Sequence, residues 1–244
     1  MKAFILAAGY GKRLQPYTEN LPKALIKVQG LPMIEIVIKR LIKYGFDDII
    51  INLHHFSDKI KDFIASKNYF DIKITFSEEK KLLDTGGAIK FAYDLIKGHS
   101  ILVHNVDILT DINLEKFKKE AANKQADVLL AVKKRKTNRY LLFDQAYKLK
   151  GWKNIQTGET ILNTNYDIEK LHPMAFSGIH LINNSTLELI KKYPEDKFSI
   201  TTFYLKHLEK LNIYGFPHNS NLVMDLGKID NLEIAQYLNL KKFL

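Results

Sequence analysis

Short, nearly continuous apolar runs at residues 3–8, 49–53, 72–76, 100–104 and 127–132 alternate with amphipathic stretches at 32–44, 58–66, 88–96 and 114–124. Strands that are apolar on both faces must be covered on both faces. The order therefore predicts βαβ units: an α/β protein with a mainly parallel central sheet flanked by helices. Local chemistry agrees. Ile34, Val37, Ile38, Leu41 and Ile42 repeat at three and four, and Gly45 stands where a helix C-terminus needs it. Ser57 and Asn113 are the expected N-caps of the second and fourth helices.

After residue 139 the pattern loosens. Strands are expected at 140–143, 146–149 and 176–182, with a polar stretch at 154–173. Insertions of this kind often build a substrate wall. A helix at 199–210, strands at 213–216 and 222–226 and a last helix at 229–238 complete the reading. No Pro-, Gly- or Ser-rich linker divides the chain, so one domain is expected over residues 1–244.

Composition removes several chemistries. With no cysteine, the chain has no disulfide framework, thiolate zinc site, iron–sulfur ligand or cysteine nucleophile. The apolar start ends at Gly9 and is followed at once by Lys12 and Arg13, too short for a secretory leader. No window approaches the ~20 apolar residues of a membrane span, so a cytoplasmic protein without a membrane partner is expected. The net charge of +10 suits nucleic acid, a membrane surface or phosphate substrates alike. The most basic run, Lys133-Lys134-Arg135-Lys136 with Arg139 nearby, lacks interleaved aromatics. It reads as a solvated loop, and no nucleic-acid partner is expected. His54, His55 and His104 show no metal-binding spacing and read as packing at strand ends.

The first strand runs into Leu6-Ala7-Ala8-Gly9-Tyr10-Gly11-Lys12-Arg13-Leu14, and Pro22-Lys23-Ala24-Leu25 follows. Two glycines let a phosphate chain approach backbone N–H groups, and Arg13 and Lys23 supply the charge it needs. The segment is a polyphosphate cradle of neither common type. Leu6 stands where a Walker loop has its first glycine, with Arg13 in place of the hydroxyl, and Leu14 replaces the third glycine of a dinucleotide fingerprint.

Residues 6–25 resemble the opening motif of the sugar-1-phosphate nucleotidyltransferases, Leu-Ala-Ala/Gly-Gly-x-Gly-x-Arg-Leu/Met-x-Pro-x-Thr followed by Pro-Lys-x-Leu, at every fixed position. Leu83-Asp84-Thr85-Gly86-Gly87, Asn105-Val106-Asp107 and Met224-Asp225-Leu226-Gly227 extend the likeness along the chain. Within the family the chain looks most like the muramate uridylyltransferases and the mannose or heptose guanylyltransferases. With no left-handed β-helix after residue 244, a second acyltransferase activity is not expected.

The resemblance implies a Rossmann-like mixed sheet, the nucleotide-diphospho-sugar transferase fold, with a nucleotide-binding half at about 1–132 and a sugar-binding part at about 133–244. It implies two substrates, an NTP and a sugar 1-phosphate, and Mg²⁺ as cofactor. By resemblance Arg13, Lys23 and Asp107 are catalytic, and Asp107 and Asp225 hold the metal. Leu6, Ala7, Ala8, Gly9, Gly11, Gly86, Gly87 and Asn105 join Arg13 and Lys23 around the nucleotide, and Gly178 meets the sugar. Both aspartates close apolar runs, which places them at the strand ends where open α/β sheets hold ligands.

Two positions depart from the family pattern. Val106 stands where the family has glycine, so either that glycine serves only closeness to the nucleotide or the loop differs. No Glu-Lys-Pro segment is present, and Lys150 and Lys153 match its lysine in rough position only. A phosphocholine-type cytidylyltransferase and a catalytically weak nucleotide-sugar sensor remain as alternatives.

Overall fold

The computed structural model describes residues 1–163, 166–219 and 221–244. Strand β1 (Lys2–Leu6) leads through a small ribbon, β2 (Lys27–Val28) and β3 (Leu31–Pro32), into helix α1 (Met33–Lys43). Then come β4 (Asp48–Leu53), α2 (Ser57–Ser66), β5 (Lys73–Glu78), α3 (Asp84–Phe91) and a further turn of helix, α4 (Tyr93–Ile96). β6 (Ile101–Asn105), β7 (Ile108–Thr110), α5 (Leu114–Asn123) and β8 (Val128–Lys133) follow. The later part holds β9 (Arg139–Phe143), β10 (Leu149–Asn154), β11 (Thr160–Leu162), β12 (His172–Ile182), α6 (Asn184–Lys191), α7 (Ile200–Lys206), β13 (Ile213–Pro217), β14 (Val223–Asp225) and α8 (Ile229–Ala235).

The expected mixed, mainly parallel sheet is present. β5, β4, β1 and β6 run parallel side by side. β12 is inserted antiparallel between β6 and β8, and β13 lies parallel to β8. The hairpin strands β9, β10 and β11 extend the sheet from the first half of β12. One apolar layer, including Ile38, Leu41, Ile51, Ile60 and Phe117, lies under α1, α2 and α5; the other, including Phe4, Val103, Ile190, Phe203 and Tyr204, lies under α3, α6 and α7. This is why β1, β4 and β6 carry apolar residues on both faces.

Several boundaries differ from the sequence reading, each for a local reason. Gly45 does end α1: its N–H donates to the Ile42 carbonyl at 2.9 Å, and the Phe46 N–H to the Leu41 carbonyl at 3.1 Å. Asn113 caps α5, accepting from the Lys116 N–H at 2.9 Å. Ser57 is not a cap; it is the first helical residue, and Phe56 precedes it at φ 54°. The amphipathic stretch at 88–96 takes in the later part of a helix that begins at Asp84, with Gly86 and Gly87 in its first turn. The strand expected at 146–149 begins only at Leu149, because residues 144–148 form a turn closed by the Asp144 carboxylate on the Lys148 N–H. Helix α6 was not foreseen, and the expected strand at 222–226 is a ribbon with β7 outside the main sheet. Among the described residues no helix is long and apolar enough to cross a membrane.

Two core histidines make acid stability a test of this packing. His104 lies in β6 and donates from Nδ1 to the Asn105 carbonyl at 2.8 Å; His180 in β12 shares a 2.8 Å hydrogen bond with the Tyr204 hydroxyl. Burial pushes His104 from 6.5 down to about 4 and His180 from 6.5 down to about 3. Both stay neutral in the folded chain while the unfolded chain takes up protons below 6.5. The stability is therefore present above the unfolded value and lost as pH falls from there through the folded values, by up to about 1.4 kcal/mol per histidine per pH unit. Thermal melts between about pH 7 and pH 4 should show the melting temperature falling, and His180→Phe should flatten the slope. An unchanged slope would mean that His180 is protonated in the fold.

Candidate active site

The carboxyl ends of β1, β4 and β6 open into a cavity of about 480 Å³. Its entrance is built by the loop behind β1. The Ala7 N–H continues the ladder by donating to the Asn52 carbonyl at 3.1 Å, after which the chain turns away. Gly11 sits at φ +67°, and a Cβ there would lie 2.8 Å from Thr18 Cγ2, so this turn requires glycine twice over. The Thr18 hydroxyl donates to the Gly11 carbonyl at 3.0 Å and fixes the turn. At Gly9 the situation is different: the nearest atom to a Cβ would be Lys23 Nζ, 3.9 Å away. The space above Gly9 is cavity, open to an incoming molecule.

Arg13 rides on a short turn of helix, Lys12–Leu14, anchored by the fully buried Leu14. Lys23 rides on another, Lys23–Leu25, anchored by Ala24 and Leu25. Each cation faces one of the two expected aspartates. Lys23 Nζ donates to Asp107 Oδ2 at 2.7 Å, and Arg13 Nη1 to Asp225 Oδ2 at 3.4 Å. A smaller cavity of about 270 Å³, lined by Gly11, Lys12, Arg13 and Gly227, shares Lys23 with the larger one.

The β7–β14 ribbon brings the aspartates together. Asp225 pairs with Ile108, the residue after Asp107, and the Leu226 N–H donates to the Asp107 carbonyl at 2.8 Å. Gly227 reports how close the groups come: a Cβ on it would lie 2.8 Å from Asp107 Oδ2, 2.9 Å from Asp225 Oδ1 and 2.7 Å from Arg13 Nη2. The two carboxylates, Asp107 and Asp225, thus face each other closely across Gly227. Two carboxylates beside a phosphate-sized space suit a hard divalent ion, which takes one or two carboxylates and completes its shell with phosphate and water.

Val106 resolves one departure from the family pattern. Its φ lies outside the left-handed region, its side chain is in the core, and its N–H donates to the Leu6 carbonyl at 3.1 Å. This loop geometry does not demand glycine.

Gly86 and Gly87 serve packing here. Both N–H groups donate to the Phe198 carbonyl, at 2.9 and 3.2 Å. A Cβ on Gly86 would meet the Phe198 ring at 2.3 Å, and one on Gly87 the Asp196 carbonyl at 2.2 Å. The wall that this loop presents to the large cavity comes from Asp84 and Thr85. Gly178 sits at φ +71° in a bulge of β12, where a Cβ would strike the Asn105 amide at 2.9 Å; it lets Asn105 stand at the cavity edge. Lys150 is buried, 3.4 Å from Asp144 and 4.4 Å from the Tyr166 ring centre.

One part of the cavity went unread in the sequence. Asn52 and Glu79, both buried, line its floor, and Asn52 Nδ2 donates to Glu79 Oε1 at 2.8 Å. Glu79 Oε2 accepts the Leu83 N–H at 2.9 Å, and burial raises the Glu79 carboxyl above its ordinary value against these two bonds. The signal was there: Asn52 is the one polar residue in Ile49-Ile50-Ile51-Asn52-Leu53. His54 closes the same corner, joined to the Glu79 carbonyl at 2.9 Å and to the Tyr10 hydroxyl at 3.1 Å. Among the described residues no cluster of three or more His, Asp or Glu side chains is arranged around a metal position.

A mainly parallel sheet with a glycine turn, two placed cations and two neighbouring carboxylates at its carboxyl edge has the chemistry to hold a phosphate chain. Residues 2–141 match the family model described as nucleotidyl transferase, more than half of the chain, and the protein belongs to that family and is a nucleotidyltransferase. The N-acetylmuramate alpha-1-phosphate uridylyltransferase of Neisseria meningitidis is 40% identical over 46% of this chain and 49% of its own, so that match spans about half of the relative. The D-glycero-alpha-D-manno-heptose 1-phosphate guanylyltransferase of Aneurinibacillus thermoaerophilus is 28% identical over 97% of each chain. Among solved structures, HddC from Yersinia pseudotuberculosis complexed with GMP-PN superposes with a TM-score of 0.75 at 24% identity, covering 96% of this chain and 97% of that one. UDP-glucose pyrophosphorylase complexed with UDP-glucose gives 0.77 at 16% identity, covering 96% of each chain. Identities this low establish a shared fold.

Proposed function

We propose that the protein transfers a nucleotidyl group from an NTP to a sugar 1-phosphate, giving a nucleotide-sugar and pyrophosphate. The convergence of Arg13, Lys23, Asp107 and Asp225 at the junction of the two cavities carries this reading. A base and ribose fit the larger cavity beside Gly9, Asn52 and Thr85, and the triphosphate turns into the smaller one over Gly11 and Arg13. An acceptor phosphate then attacks the α-phosphorus in line with the leaving pyrophosphate.

Such a displacement needs little covalent work from the protein; it needs alignment and neutralisation of two mutually repelling anions. Arg13 offers a planar pair of donors to the leaving phosphates. Lys23, at the boundary of both cavities, is placed for the α-phosphate, and Asp107 holds its ammonium group there. Asp107 and Asp225 would hold Mg²⁺, which supplies positive charge to the phosphate oxygens as the transition state develops.

The test is pyrophosphate release across UTP, GTP, CTP and dTTP with a panel of sugar 1-phosphates, with Mg²⁺ and with a chelator. The full-length alignment with the heptose guanylyltransferase makes GTP with a heptose or mannose 1-phosphate the first pair to try. Turnover with one base and one sugar, lost on chelation, is the expected result. No turnover with any pair would overturn the enzymatic proposal.

A further inference from the structure

Arg13 and Lys23 account for little of the +10 net charge. Four further cations surround a cavity of about 570 Å³ behind the segment that joins β5 to α3. Lys80 and Lys81 line it from that segment, Lys90 and Phe91 from the end of α3, and Lys191 from the end of α6. Its two carboxylates are already committed: Glu78 accepts from Lys61 at 2.5 Å, and Asp196 from Lys90 at 2.7 Å. Among the described residues Lys80, Lys81 and Lys191 have no carboxylate within ion-pair distance. Lys191 is held over the Tyr93 ring, 5.3 Å from its centre. Ammonium groups gathered around one cavity without a counter-charge repel one another, and an anion between them removes that repulsion. Phe91 adds a flat apolar surface that is 53% exposed.

This cavity and the catalytic one lie on opposite sides of a single wall. Between residues 78 and 87 the chain serves both: Glu79, Leu82, Asp84 and Thr85 line the catalytic cavity, while Lys80, Lys81, Leu83 and Gly87 line the second. The stretch packed against it is shared in the same way, with Lys197 on the catalytic side and Asp196 on the other. Hydrogen bonds run through the wall. Glu79 Oε2, on the floor of the catalytic cavity, accepts the Leu83 N–H at 2.9 Å, and the Leu83 carbonyl accepts the Phe198 N–H at 3.2 Å. The Ile200 N–H donates to the Thr85 hydroxyl at 3.0 Å. Asp84 stands in the middle of this wall at φ +63°, a conformation uncommon outside glycine that the bonds around it maintain.

We propose that the second cavity is a regulatory site for a nucleoside diphosphate group, free or within a nucleotide-sugar, with its phosphates among Lys80, Lys81 and Lys191 and its base on Phe91. Occupancy is felt in the catalytic cavity through the wall they share. The volume is that of a small-ligand site. Lysines supply charge to phosphates without demanding one geometry, and an aromatic ring stacks on any base. The coupling follows from the bonds in the wall. An anion that draws Lys80 and Lys81 together moves the segment that carries Glu79 and Leu83, and the bond between those two sets the floor of the catalytic cavity. Such coupling is reciprocal, so a nucleotide in the catalytic cavity alters affinity at the second by the same factor. No step of the nucleotidyl transfer passes through this cavity, and the inference goes beyond that reading.

Isothermal titration with GDP, UDP, GDP-mannose, UDP-glucose and inorganic pyrophosphate tests the site without requiring turnover. The unaltered protein should bind at least one of the nucleotides at two sites, and the nucleotide and nucleotide-sugar arms show which source fills the second. In the double variant Lys80→Gln, Lys81→Gln, whose exposed positions lie outside the catalytic residues, affinity at one site should fall about tenfold or more and stay within about twofold at the other. Phe91→Ala should weaken the nucleotides at that same site and leave pyrophosphate unchanged, which separates recognition of a nucleoside from attraction of any anion to lysines. One site for every probe, two sites that the lysine variant leaves unaltered, or a Phe91→Ala variant that binds the nucleotides as before overturns the assignment. In the pyrophosphate-release assay the ligand's effect on the NTP KM should shrink in the lysine variant, whose rate without ligand stays within about twofold of the parent; an effect of equal size in both overturns the coupling. Absence of turnover overturns the proposed function and leaves the two-site titration to decide this inference by itself.

Discussion

Asp107→Asn is expected to lower kcat for pyrophosphate release by about 10³-fold or more while leaving the fold in place. The substitution keeps the size and one oxygen of the side chain and removes its charge. Three things depend on that charge. Asp107 Oδ2 accepts from Lys23 Nζ at 2.7 Å, so the carboxylate fixes the ammonium group at the boundary of the two cavities. Across Gly227 it faces the second carboxylate, Asp225. It is one of the two groups that would hold a divalent ion, and an amide oxygen is a much weaker ligand for a hard cation. The structural role of the residue is carried by its backbone, whose carbonyl accepts the Leu226 N–H, and asparagine retains it. Weakening one charge-assisted bond costs about 1.5–3 kcal/mol, a melting shift of several degrees in a chain of this size. Kinetics with circular dichroism and thermal melts check both halves. A kcat within a few-fold of the unaltered enzyme would remove Asp107 from the catalytic centre.

The residues of this prediction were legible in the sequence, and the geometry that joins them was not. Leu6 to Arg13 could be read because a buried strand, two glycines and a cation in that order leave few structures open. β4 and β6 could be read because burial on both faces writes an unbroken apolar run. Half of the ribbon that joins Asp107 to Asp225 was legible, since β14 lies within the strand expected at 222–226; β7, with three residues, is too short for any period to show, and its pairing with β14 leaves no mark in the sequence. Helix α6 hid for a related reason. In its eight residues the buried Leu187 and Ile190 make a single apolar step, although Asn183, which caps it by accepting the Thr186 N–H at 2.8 Å, was a usable signal. Gly86 and Gly87 show a different limit. A glycine pair beside a ligand loop and one under a phenylalanine ring look alike in sequence, and only the packing of Phe198 separates them. Asn52 was passed over because a polar residue near a strand end is ordinary until its partner, the buried Glu79, is seen.

Gly227→Ala is expected to damage catalysis far more than stability. The backbone of Gly227 does not lie in the left-handed region, so alanine introduces no conformational strain there. Its methyl group would come within 2.7 Å of Arg13 Nη2, 2.8 Å of Asp107 Oδ2 and 2.9 Å of Asp225 Oδ1. No real Cβ tolerates such contacts, and the three groups must give way. Arg13 is long and largely exposed and can swing aside at little cost. The two carboxylates are on short side chains, each already committed: Asp107 to Lys23, and Asp225 Oδ1 to the Gly227 N–H at 2.9 Å. Their displacement spoils the pair of carboxylates that would hold a divalent ion and the alignment that an in-line displacement depends on, where an error of about 1 Å costs roughly 10²-fold in rate. The expected result is therefore a kcat reduced about 10²-fold, with a melting temperature within a few degrees of the parent. The affinity for Mg²⁺, read from the metal dependence of the residual rate, should weaken in the same variant. Full activity in Gly227→Ala would show that the two carboxylates do not act at a common point, and the metal assignment would fall even if each aspartate proved essential alone.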